Sequence, residues 1–173
     1  MRTFICEICG DAYLGTEAPS KCPFCGADHS YIKSGSEADP VFNREGEIGE
    51  TSKKNLIEAL DLEIKANAIY LCMAGKSNNY EIQKMYKRLA KVELEHAAVV
   101  TKFLNIEIPE SLSEECSNED VENFKKTLEL ESHVSSLYKK FAEEAEEERV
   151  KIFFTALAKA EAEHIELIKN YIF

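Results

Sequence analysis

From residue 53 onward apolar residues recur three and four positions apart, the pattern of helices that bury one face. Leu56 and Leu60 begin one stripe and Leu89, Val92, Val100 and Phe103 a second; Phe124 and Leu128 begin a third, and Leu157, Ala160 and Ile168 mark a fourth. Asn78 and Asn79 interrupt the first long stretch, and NIEIPESLSEECSN at 105–118, with Pro109, reads as a long connection. Ser117 followed three residues later by Asp120 predicts a capping box for the third helix. A last helix is expected over 147–172, although EEAEEER just before it contains no helix breaker.

Ahead of this region the periodicity vanishes. Residues 1–33 are rich in Cys, Gly and Pro with short β-like pieces, and 34–52 are aperiodic with three glycines and a proline. The pattern predicts a small loop-built unit at 1–36, a linker at 37–52 and a helical domain at 53–173.

A repeat supplies the missing breaker. A shift of 68 residues lays LAKVELEH (89–96) on LAKAEAEH (157–164) and EIKANAIY (63–70) on ESHVSSLY (131–138), and places Leu60 and Leu62 on Leu128 and Leu130, without a gap. Asn78 then falls on Glu146, which puts the second turn near 145–148. One helical hairpin duplicated once is too short for a solenoid and suits a four-helix bundle with a long crossover.

Each stripe contains charge where apolar residues are expected. The first carries Glu63 and, seven residues on, Tyr70; the third carries Glu131 and Tyr138. The second and fourth carry the Glu-x-x-His pairs Glu93/His96 and Glu161/His164, whose members share a helix face. The midpoint of 63 and 93 is the first turn and that of 131 and 161 the second, so all six side chains are predicted at one level of the core. A buried carboxylate without compensation costs several kcal/mol, and four together repel. Two divalent cations cancel them, and oxygen with imidazole donors suits Fe, Mn or Zn in a ferritin-like di-metal arrangement. Tyr70 and Tyr138 are placed to donate hydrogen bonds to the ligand carboxylates. Glu95 and Glu163 lie well round the helix from the stripe and are expected outside the ligand set.

Charge narrows the partners. The chain has 31% charged residues and a net charge of −11 without a contiguous basic run, which argues against nucleic acid and anionic membranes. The first residues, MRTFICEICG, lack a signal-peptide core, and the longest apolar run, AIYLCMA at 68–74, is far too short to span a bilayer; a cytoplasmic protein is expected.

Four of the six cysteines form two CxxC pairs, Cys6/Cys9 and Cys22/Cys25, each followed by a glycine, Gly10 or Gly26. That spacing fits a tetrahedral four-thiolate site and is shared by structural zinc ribbons; beside a di-iron bundle that must be re-reduced, a one-electron iron site fits better. Of the remaining two, Cys72 is expected as a buried thiol and Cys116 as a loop thiol.

CxxCG with a second CPxCG twelve residues on resembles the short rubredoxin-type domain of rubrerythrins, and Glu63 to Tyr70 with the two E-x-E-H segments resembles their ferritin-like bundle. With the cysteine unit leading, the chain is most similar to the reverse rubrerythrin type. The resemblance implies a mainly α fold, a ferritin-like four-helix bundle carrying a small rubredoxin-like domain. It implies a non-haem di-iron peroxidase that reduces hydrogen peroxide, and dioxygen as a second oxidant, in defence against oxidative stress. The implied cofactors are one mononuclear iron on Cys6, Cys9, Cys22 and Cys25 and one di-iron centre on Glu63, Glu93, His96, Glu131, Glu161 and His164. Implied partners are an NAD(P)H-dependent reductase and a second copy, in a head-to-tail homodimer or higher oligomer where one subunit's cysteine site faces the other's di-iron centre. Many rubrerythrins carry a further glutamate three residues after the third-helix ligand; Val134 stands there, and the neighbouring His133 is a weak substitute. Rival readings are a ferritin-like iron oxidation or storage protein, and a zinc-ribbon adaptor on a structural bundle.

Overall fold

The computed structural model describes residues 1–172. Three short antiparallel strands, β1 (Arg2–Cys6), β2 (Ala12–Gly15) and β3 (Ile32–Ser34), form a sheet in the order β2-β1-β3. Four long helices follow: α1 (Glu50–Lys76), α2 (Tyr80–Leu104), α3 (Asp120–Glu144) and α4 (Glu148–Ile172). The fold is a ferritin-like helical bundle with a rubredoxin-like unit at its N-terminus.

The two turns lie at 77–79 and 145–147. Asn79 caps α2 by accepting from the amides of Glu81 (2.9 Å) and Ile82 (3.2 Å), which serves two donors that a helix start leaves open. The second turn serves α1 instead: Glu147 accepts from the Gly49 amide and the Ser52 hydroxyl, each at 2.5 Å, and so caps the first helix from across the bundle. The duplicated hairpins also share an internal lock. Asn67 Nδ2 donates to the Ala90 carbonyl at 2.6 Å, and at the equivalent place Ser135 Oγ donates to the Ala158 carbonyl at 3.0 Å. A buried polar side chain therefore fixes the axial register of each helix pair, because any slip leaves it without a partner.

Segment 37–49 is more ordered than its linker composition suggests. Val41 is fully buried, its amide bonds the Glu7 carbonyl at 2.8 Å, and the neighbouring Phe42 ring carries the Lys102 ammonium 4.7 Å from its centroid. Arg149 of α4 donates to the carbonyls of Phe42 and Gly46. The cysteine unit and the near end of the bundle then share one continuous core that runs from Ile8 and Cys25 to Ala97, Val100 and Leu157.

Two local expectations are corrected. The Ser117/Asp120 box does not form: Glu119 is the N-cap of α3, Asp120 accepts from Ser77 Oγ at 3.0 Å, and the Asn123 side chain bonds both the amide and the carbonyl of Ser117. Cys72 and Cys116 are not separate thiols but a disulfide across 44 residues, which ties the crossover to α1 beside the Lys76 bond to the Cys116 carbonyl. Closing a loop of that length restricts the unfolded chain by roughly 3–4 kcal/mol. Reduction, or Cys116→Ser, is expected to lower the bundle's melting temperature by several degrees, read by circular dichroism with and without a phosphine reductant; an unchanged melt would remove the strap from the stability account.

Candidate metal centres

At the N-terminal site the sequence dictates two matching turns. Gly10 donates to the Cys6 carbonyl at 2.7 Å and Gly26 to the Cys22 carbonyl at 3.0 Å, with φ of 83° and 76°. That left-handed backbone is open to glycine at little cost, and at Gly10 a Cβ would in addition sit 2.6 Å from the Phe42 ring. The turns bring four buried sulfurs together, with Cys6–Cys25 and Cys9–Cys22 Sγ separations of 3.7 Å. Metal–sulfur bonds of about 2.3 Å in a tetrahedron place sulfurs about 3.8 Å apart. None of the four is in a disulfide. Hydrogen bonds from its neighbours push the Cys22 thiol down, and the same sharing pushes Cys9 and Cys25 up, as expected when a few protons serve sulfurs built for a cation.

In the bundle, Glu63, Glu93, Glu131, Glu161 and His96 are at most 3% exposed and His164 is 8% exposed. They form two sets: Glu63, Glu93, His96 and Glu161, and Glu93, Glu131, Glu161 and His164, each with its donor atoms within 4.8 Å of one another. Glu93 and Glu161 belong to both. The layer lies between the core shared with the cysteine unit and a second apolar cluster around Met73, Tyr86 and Phe124, so bulk water is kept from both ends.

Both carboxylate oxygens of Glu93 and of Glu161, with Nδ1 of His96 and His164, lack a hydrogen-bond partner. Yet His96 Nδ1 is 3.1 Å from Glu161 and His164 Nδ1 is 2.8 Å from the same residue. The two facts agree once the tautomer is fixed. His96 Nε2 faces the Cys25 carbonyl at 2.8 Å and must donate to it, which leaves Nδ1, among carboxylate oxygens, as the atom that takes up either a proton or a metal ion. Acceptors facing acceptors at contact distance call for a cation, and the residues fit two metal ions.

Proton affinities carry the same message. Burial, then the Glu161 charge, pushes Glu93 well up and Glu131 up to about 7. Burial also acts on Glu161, but the charges of His96 and His164 hold its carboxyl below the ordinary range. Burial opposes protonation of His96 and His164; the surrounding glutamates outweigh it and push both up. Protons thus occupy the positions a metal would take.

Tyr138 Oη donates to Glu63 at 2.5 Å and Tyr70 Oη to Glu131, so each hairpin's tyrosine holds the other hairpin's glutamate. Burial, followed by these carboxylate charges, pushes both phenols up and keeps them donors. Glu163 is exposed and bonded to Lys21 at 3.2 Å; Glu95 is half-buried near Cys9 and Asp11; His133 is exposed. Within one chain the cysteine unit and the carboxylate layer meet through His96 and Cys25. Lys102, absent from the sequence reading, donates to the Cys9 carbonyl at 2.9 Å; its only sequence signal is a place on the α2 face that also carries Glu95.

Two family descriptions match the chain in this order: the rubrerythrin rubredoxin-like domain over residues 4–33 and rubrerythrin over residues 54–120. The chain belongs to the rubrerythrin family. It is 31% identical over 113 residues to reverse rubrerythrin-1 of Clostridium acetobutylicum, a match that covers 60% of this chain and 62% of that relative's length. The four-cysteine site and the carboxylate–histidine layer both fit iron. Among the described residues no helix is long and apolar enough to cross a membrane.

Proposed function

We propose that the chain is a non-haem iron peroxidase that reduces hydrogen peroxide to water, with dioxygen as a second oxidant. Each peroxide takes up two electrons and two protons and yields two waters. The observation that carries the reading is the pair of ligand sets sharing Glu93 and Glu161 in a dry layer that touches the four-cysteine unit through His96.

In this reading Glu63 and His96 hold one iron, Glu131 and His164 a second, Glu93 and Glu161 both, and Cys6, Cys9, Cys22 and Cys25 a mononuclear third. Bound iron supplies the electrons for O–O cleavage, restored one at a time through the cysteine site from an external NAD(P)H-dependent reductase. The protein's own groups do the rest. Tyr70 and Tyr138 orient the outer carboxylates and hold a proton at each Oη. The two apolar clusters keep charge in the layer from being screened by water. A cavity of about 40 Å³ reaches Glu63, Tyr70, Glu93, Glu131 and Glu161 from the seam between α1 and α3, past Ala66 and Val134. That space admits a molecule the size of hydrogen peroxide.

The test is anaerobic iron loading followed by metal analysis and peroxide consumption with a reduced donor. About three irons per chain with sustained turnover are expected under this reading, by the ligand inventory; a single zinc without turnover overturns it in favour of an adaptor. Cys9→Ser is expected to stop donor-coupled turnover while one addition of peroxide still oxidises the reduced bundle. Undiminished donor-coupled turnover in this variant would remove the cysteine site from the electron route.

A further inference from the structure

Residues 82–92, IQKMYKRLAKV, carry four basic side chains and no acid in a chain of net charge −11. Lys84, Lys87, Arg88 and Lys91 follow the spacing i, i+3, i+4, i+7 and project from one face of α2. They line an open groove of about 460 Å³ along α1 and α2, together with the apolar side chains of Leu71 and Leu94. The chain has no contiguous basic run, and here the positive charge is instead periodic along a helix. Leu71 is 52% and Leu94 41% exposed, so the groove combines an apolar centre with a cationic rim, the composition of a docking patch. It also abuts the cysteine unit. Arg88 Nη2 reaches the Phe24 carbonyl at 3.5 Å, one residue before Cys25, and Pro23 beside Cys22 is exposed.

We propose that this groove is the docking face for an acidic one-electron donor protein that reduces the four-cysteine site. The proposal rests on the reading of that site as the point of electron entry. The step is a single electron transfer: the donor is oxidised by one electron, the thiolate-bound iron goes from ferric to ferrous, and no bond or proton changes hands. Charge complementarity selects the partner. A chain at −11 repels acidic proteins on the whole, so an acid-free positive patch beside the cysteine unit both attracts such a donor and orients it toward Cys22–Cys25. The exposed leucines suit the apolar part of a protein surface better than a phosphate backbone.

The probe is a purified rubredoxin of net negative charge. Its oxidised form is titrated calorimetrically into the zinc-loaded, redox-inert chain, and its reduced form is mixed with the oxidised iron-loaded chain in stopped flow, at low and high salt. The combined variant Lys84→Glu, Lys87→Glu, Lys91→Glu is expected to weaken binding and slow reduction by about tenfold or more at low salt and to abolish most of the salt dependence. Lys125→Glu with Lys126→Glu on α3 leaves both unchanged, and dithionite reduces all forms equally. Circular dichroism checks α2, and Gln at the same three positions gives a smaller loss without adding acids. Unchanged affinity and rate, or wild-type binding indifferent to salt, overturns the proposal. So does a native mass that falls from dimer to monomer in the variant, which assigns the groove to a second copy. Peroxide does not enter these measurements: a chain that docks the donor yet consumes no peroxide refutes the proposed activity and leaves the docking face standing.

Discussion

Glu93→Ala is expected to abolish peroxide turnover, a loss of at least about a thousandfold, because one residue serves both ligand sets and its removal leaves each with three donors. Glu63→Ala strips donors from one set only and should retain more bundle iron. The four-cysteine absorption is the internal control, since those thiolates lie in the N-terminal unit and do not depend on Glu93. His96→Ala should be as damaging as Glu93→Ala, for it also removes the donor to the Cys25 carbonyl. His164, its partner in the repeat, has no such contact among its described hydrogen bonds. The measurement is iron per chain together with peroxide consumption; full turnover in Glu93→Ala would end the case for this layer as the reaction site.

Stripping metal from the bundle should produce a protein whose stability falls as pH rises, opposite to the loaded form. Glu131 goes from 4.5 in the free amino acid to about 7 in the fold, so its contribution is complete below about pH 4.5 and is lost as pH climbs through about 7. That shift corresponds to something on the order of 3 kcal/mol. His96 and His164 are also raised, and their contributions are complete below the ordinary imidazole range and lost on going up through their folded values. Glu161 is depressed; its contribution is lost only as the solution becomes strongly acid, outside this window. Metal binding reverses the sign, since carboxylates and imidazoles must shed protons to ligate. The gap in melting temperature between loaded and chelated protein is therefore expected to widen from about pH 5 to about pH 8. A chelated protein that grows more stable over that range would contradict the account of crowded acids kept neutral by protons.

Glu147→Ala isolates a smaller feature, the α1 cap delivered from the second turn. Nothing near Glu147 in the sequence points to Gly49, 98 residues away. The same is true of Cys72 and Cys116, which read as independent thiols because each sits in a locally self-consistent setting, one in a helix and one in a loop. Even the failed Ser117/Asp120 box follows this rule: the local pattern was adequate, and a tertiary partner, Ser77, took Asp120 away.

The amino-acid sequence by itself determined the bundle, its duplicated hairpins and the level at which Glu63, Glu93, His96, Glu131, Glu161 and His164 meet, because helical periodicity and distance from a turn fix the face and height of a side chain. It likewise determined the four-thiolate cluster, whose two glycine-closed turns are local events. Only the tertiary structure decided that Glu93 and Glu161 are the shared pair, that Cys25 rests on His96 of its own chain, that Cys72 finds Cys116, and that Lys84 to Lys91 border the cysteine unit. Each of these depends on how separate elements are rotated and packed against one another, and that is set by the sum of many weak contacts across the core, with no short stretch of sequence to announce it.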